Sequence, residues 1–330
     1  MTDLALLWLA SSGLGALVLA LLAALADALM GPRRPEVAAG LWWASLVRLV
    51  LPPSVGSPVG WSVEVEPSTA SAFGTSLFAV WAAGALVCGA VAARRALREA
   101  RAWRRCAARP VGPSTEQLVR RCAASMGLRR TPRVLAVDRG AACVGIVRPW
   151  IALPRDLVAA GASREVEVVL LHELAHLARR DGARRLFVLA LQCAFWFHPA
   201  TWLAGRRLST LAEIECDRAA ARATEGGPAS CRDALLAQAR RWIERDEPVA
   251  APPFTHPRSV LVARLRALDG PVGPRRRLRI VATFVVALGC IGPAVRAVTI
   301  PPFDELDGCL RKRYAVYAAL AAESEQASRE

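Results

Sequence analysis

The stretch LLHELAHLARRD, residues 170–181, carries two histidines four positions apart with a glutamate directly after the first. On a helix that spacing stacks His172 and His176 on one face, so both imidazoles reach toward one metal ion with Glu173 beside them. What such a face is for depends on the chain around it.

Of the 330 residues, 54% are hydrophobic, which is high for a soluble protein and assigns part of the chain to lipid. The formal net charge is +15, yet the basic residues are nearly all arginine and lie beside apolar stretches, as cytoplasmic membrane flanks do. No aromatic-interleaved basic motif or recognition module accompanies them, so direct nucleic-acid binding is not expected. Nine cysteines with no C-x-x-C suggest neither a disulfide framework nor a cysteine zinc knuckle. Cys216 is the one near the candidate chemistry, and packing is its expected role.

Three apolar segments open the chain, at about residues 4–26, 37–51 and 72–93. At ~1.5 Å per residue the first and third match a ~30 Å hydrocarbon core, whereas the second is short and must either tilt little and let Arg48 snorkel or use residues 52–55 as an extended end. Arg33 and Arg34 follow the first segment and six arginines between 94 and 105 follow the third, which puts those ends in the cytoplasm and the N-terminus outside. Residues 94–112 read as a basic interfacial connector, 113–279 as a cytoplasmic domain, 280–297 as a fourth span and 298–330 as a short external tail. A further apolar run, 186–204, has arginine pairs at both ends and reads as a buried or membrane-surface helix broken near Pro199.

Two histidines leave a catalytic zinc site short of the three protein ligands it typically has. The chain's other histidines are poorly placed: His198 precedes a helix-breaking proline, and His256 lies in the proline-rich loop PPFTHP. In LAEIECDRAAARA, residues 211–223, Glu213 and Asp217 share a helical face. One of them can ligate a metal while the other bonds a ligand histidine's free ring nitrogen; Glu215 is turned about 160° away. Asp181 is expected to cap or turn the histidine helix. Residues 133–137 and 142–153 read as short strands; an edge strand beside the histidine helix would let a peptide extend the sheet.

LLHELAHLARRD, then WFHPATWLAGRRL, then EIECD, preceded by GIVRPWIALP at 145–154, together resemble the membrane zinc peptidases of the BlaR/MecR type. The resemblance is close over residues 131–223. It implies one zinc ion per chain held by His172, His176 and Glu213, with Glu173 as general base and Asp217 supporting a ligand histidine. His198 is a candidate for oxyanion support, with capping or contact with Phe195, Trp196 and Phe197 as its other reading. The best-known members carry a large external penicillin-binding domain after the fourth span; residues 296–330 contain no S-x-x-K motif, so direct β-lactam sensing is not expected.

The expected architecture is therefore α+β and mainly helical, with four transmembrane helices and a cytoplasmic HExxH gluzincin-like zinc peptidase domain. The expected location is a bacterial-type inner membrane with both termini external. The resemblance implies regulated proteolysis of a protein substrate, with a winged-helix transcriptional repressor as its type, and leaves open a homodimer or a separate sensor subunit. Two other readings stand beside it: a CAAX-prenyl-like or quality-control membrane peptidase, and a non-proteolytic signalling scaffold stapled by zinc.

Overall fold

An alanine- and leucine-rich run without proline forms the first helix, α1 (Thr2–Met30), and Pro35 opens the second, α2 (Pro35–Val50). The computed structural model describes residues 2–30, 35–50, 71–159, 161–245 and 257–269. Ala16, Ala20 and Ala23 on α1 pack against Ala38, Trp42, Leu46 and Leu49 on α2, small residues letting the backbones approach closely. Trp42 donates its indole N–H to Asp27 Oδ2 at 3.0 Å, and Arg207 reaches the same oxygen from a later helix at 2.9 Å.

Among the described residues one helical stretch, Thr75–Arg105, is long and apolar enough to cross a membrane, and Gly15–Leu29 is a shorter apolar helix. At 16 residues α2 is about 24 Å long, less than a hydrocarbon core. Arg48 does not snorkel as expected: α2 turns it inward among its buried residues, leaving it 3% exposed. The expected fourth span and tail, the loop at 51–70 and His256 lie outside the described residues.

The third helix, α3 (Ser71–Arg105), runs past its apolar part without a break. Arginine is a good helix former and no proline intervenes before Pro110, so residues 94–105, the first part of the expected connector, continue α3 as helix. Trp103 meets Trp150 edge-on at 5.8 Å, with the guanidinium of Arg139 4.5 Å from the Trp103 ring, and this joins α3 to a small sheet.

That sheet is built from β1 (Arg109–Pro110), β2 (Arg133–Val137), β3 (Ala142–Val144) and β4 (Trp150–Pro154) in the order β1-β2-β4-β3. Strands β2 and β4 are parallel; β1 and β3 pair antiparallel at the two edges. Helices α4 (Pro113–Ser125), α5 (Arg155–Ala159) and α6 (Arg164–Arg179) cover it, and Leu118, Ile151, Leu153, Val166, Leu170 and Leu174 are buried in the shared core. Truncating Leu170 or Leu174 to alanine would cost about 2–5 kcal/mol.

Helix α7 (Asp181–Ala194) runs to a turn at 195–198, from which α8 (Pro199–Ala223) returns. The break at Pro199 falls where the sequence suggests it, because proline suits a first helical position and not an interior one. Over its 25 residues, about 37 Å, α8 joins two cores: Ala200, Ala204, Leu208 and Leu211 pack with α1, α2 and α7, while Ala220 and Ala221 belong to the core under the sheet. Glu213 to Asp217 lie between them. Helices α9 (Gly227–Arg245) and α10 (Pro257–Leu268) close over the far half of α8.

Candidate metal centre

Helix α6 starts at Ser163, whose hydroxyl accepts the Val166 N–H at 3.4 Å, and Glu165 and Glu167 in the first turn complement the helix dipole. Its buried face fixes the opposite one, so His172, Glu173 and His176 line a cavity of about 2000 Å³. The helix ends at Arg180, which has φ 56 and ψ 40 and is the one non-glycine residue with positive φ among those described. That single left-handed residue lets α7 begin at once, and Asp181 folds back on α6: its Oδ2 lies 2.9 Å from His176 Nδ1. Asp181 therefore holds a histidine and does not cap the helix as expected.

The same arrangement occurs at the other histidine. Asp217 Oδ1 lies 2.8 Å from His172 Nδ1. Each Nδ1 thus faces a buried carboxylate, and each Nε2 faces Glu213, at 3.4 Å from its Oε2 for His172 and 3.5 Å from its Oε1 for His176; a metal bound there would take the place of the Nε2 protons. Donors bound about 2.0–2.1 Å from one tetrahedral zinc sit about 3.3 Å apart, so these separations fit the edges of such a site. The three donor atoms all lie within 4.8 Å of one another.

Burial alone would raise the Glu213 pKa, but hydrogen bonds from the two histidines and the charge of Arg264 hold it well below the ordinary carboxylate range. Burial would likewise raise Asp217, which Arg264 and His172 instead lower. For His172 and His176 burial works downward and the surrounding acids overcome it, raising both.

Glu173 is buried, 7% exposed, and lines the same cavity. Edge strand β3 also lines it, and burial together with the nearby Glu173 pushes the Cys143 thiol on that strand up to about 11. Glu215 leaves the donor group and pairs with Arg179 at 3.5 Å. Cys216 is buried with Sγ 3.3 Å from His176 Nδ1, so it touches a candidate ligand as well as packing, and forms a second donor group with His176 and Asp181.

His198 is not brought to this centre. It precedes the first residue of α8, and its Nε2 lies 3.0 Å from the Gly13 carbonyl on α1, which removes it from the cavity and from oxyanion support. Two groups lay beyond sequence reasoning. Asp181 depends on a left-handed turn that no glycine announces, and Arg264 arrives from α10, 47 positions after the aspartate it binds.

Two supported imidazoles, a carboxylate and a buried glutamate in a cleft, on a body with one helix long and apolar enough to cross a membrane among the described residues, are an arrangement that suits a membrane-associated metallopeptidase. The chain belongs to the BlaR1 peptidase M56 family, whose pattern matches residues 62–268. It is 40% identical over 73 residues to the regulatory protein BlaR1 of Bacillus licheniformis, covering 22% of this chain and 12% of that protein. It is 31% identical over 74 residues to the methicillin resistance mecR1 protein of Staphylococcus aureus, covering 22% and 13%. The aligned stretch thus spans only a small part of either relative's length.

Proposed function

We propose that this protein is a membrane-embedded zinc endopeptidase that carries out regulated proteolysis in signal transduction. The observation that carries the reading is the pair of histidines locked through Nδ1 by Asp217 and Asp181, with both Nε2 atoms turned to Glu213. His172, His176 and Glu213 would hold one zinc ion. Nitrogen and carboxylate donors suit zinc, and three donors in this group among the described residues would leave a position for water or substrate.

When bound, zinc would polarise the scissile carbonyl and acidify a water molecule. Glu173 takes the proton from the attacking water and delivers it to the departing amine, a two-way role that suits a carboxylate lining the cleft. Edge strand β3 offers unpaired backbone groups along the same cleft, so a substrate peptide adds to the sheet there and brings its carbonyl toward the histidines.

The name of one relative, a regulatory protein, supports a signalling role, for which a transcriptional repressor is the proposed type of substrate. A second reading draws on the α7–α8 turn. Trp81 donates to the Ala194 carbonyl at 2.7 Å, His198 meets mid-α1, and Leu186, Phe187 and Phe197 are exposed. Such a hairpin among apolar helices suits a quality-control peptidase whose substrates are themselves in the membrane.

The test is Glu173→Gln in the full chain, with a candidate repressor and a membrane-anchored reporter co-expressed in turn. Zinc content should be kept and cleavage lost, and the substrate cut by wild type decides between the readings. Equal processing of both substrates by wild type and variant would remove the peptidase assignment.

A further inference from the structure

The amphipathic pattern of α10 is broken at one place. Leu261, Leu265 and Leu268 pack against the core, and Arg264, which shares their face at helical spacing, enters it too, its side chain 10% exposed. A buried guanidinium is costly unless its donors are used. Here they are: Nε lies 2.7 Å from Asp217 Oδ2 and Nη2 lies 2.8 Å from Asp217 Oδ1, a two-pronged pair, and the remaining Nη1 is 3.4 Å from Glu213 Oε2.

Asp217 Oδ1 therefore accepts from two sides, from Arg264 Nη2 and from His172 Nδ1, each at 2.8 Å. The guanidinium fixes the plane of the carboxylate, and the carboxylate fixes the ring. Asp217 and Glu213 are also carboxylates one turn apart on α8 with little exposure, 4% and 20%. His172 also bridges them but must give up its charge to bind a metal, whereas Arg264 keeps a cation beside both carboxylates throughout.

Resting on the zinc-site reading above, we propose that Arg264 is a positioning residue for the metal centre. It pre-forms the site by clamping Asp217, and through it His172, while steadying Glu213. The ligand set is then complete only when α10 is docked on α8. Lysine cannot substitute, because a point charge makes no planar fork.

The test uses the full-length protein in detergent, comparing wild type with Arg264→Lys and Arg264→Gln. Zinc affinity is measured by chelator competition, and the cobalt(II)-substituted protein is examined by its visible absorption. Both variants should bind zinc about 10–100-fold more weakly and shift the cobalt bands, as loss of a ligand's hydrogen-bonded support does. Added guanidinium ion should restore part of the affinity to Arg264→Ala, while ammonium should not. If Arg264→Gln does not fold, Arg264→Lys decides, since it keeps a charge opposite Asp217. Wild-type affinity and an unshifted cobalt spectrum in that variant would overturn the proposal, whereas a wild type that binds no zinc would overturn the site reading instead.

Discussion

Asp181 and His176 stand on different helices, yet the Asp181 carboxylate reaches His176 Nδ1 at 2.9 Å because the single residue Arg180 reverses the chain between them. The contact is braced by Arg179 and Arg184, each 3.3 Å from an Asp181 oxygen. Asp181→Asn should keep the fold and weaken zinc binding about 10–100-fold, since an amide supports the imidazole less well than a carboxylate. Chelator competition measures this, and unchanged affinity would remove Asp181 from the site.

Arg180 itself holds a left-handed backbone that costs a residue with a Cβ about 1–2 kcal/mol. Arg180→Gly relieves that cost while adding backbone entropy to the unfolded chain. The expected result is stability unchanged or raised by up to about 1 kcal/mol, with zinc content kept, read from thermal unfolding in detergent. A large loss would show that the Arg180 side chain holds the turn.

The proposed third ligand can be separated from its neighbour. Glu213 faces both histidines and Glu215 faces Arg179. Glu213→Ala should lose most of the bound zinc, and Glu215→Ala should lose far less. Metal analysis of the purified variants checks the order, and the reverse order would overturn the assignment of Glu213.

Proton competition follows from the raised pKa values of His172 and His176, whose ordinary value is 6.5. In the metal-free protein their ion pairs contribute stability that is full below that value and is lost as pH rises through the raised folded pKa. Zinc needs the neutral rings, so binding near neutral pH should release protons and tighten as pH rises. Calorimetry in buffers of different ionisation enthalpy counts the protons; none released near neutral pH would contradict the described pairing.

A packing seam supplies a further check. A Cβ added to Gly84 of α3 would overlap the Trp196 ring, and a rigid indole cannot yield as a flexible chain end does. Gly84→Ala should destabilise the protein by about 1–3 kcal/mol. A thermal midpoint equal to wild type would mean that α3 does not pack against the α7–α8 turn.

Much of this was legible in the chain because periodicity is local. The helix bearing His172 and His176, the pairing of Glu213 and Asp217 on one face, the strands at 133–137 and within 142–153, and the break before Pro199 all follow from spacing within a few turns. What stayed hidden depends on tertiary context. A charged residue on an apolar stretch reads as a snorkel, but Arg48 is enclosed by the neighbours of α2. An arginine-rich run reads as a basic interfacial connector, and only the fold shows that residues 94–105 are helical and carry α3 onto the sheet. Asp181 looked like a cap because nothing before it signalled a left-handed residue.

The length of α8 bears on whether the catalytic part can be handled alone. Its first turns present Ala200, Ala204, Leu208 and Leu211 to α1, α2 and α7, and its later turns carry the carboxylates. A fragment beginning at α4 would bare that apolar stripe to water, and the stripe sits on the same rigid rod as Glu213. Trimming the N-terminal helices to solubilise the rest would therefore remove packing that steadies the helix carrying the proposed metal ligand.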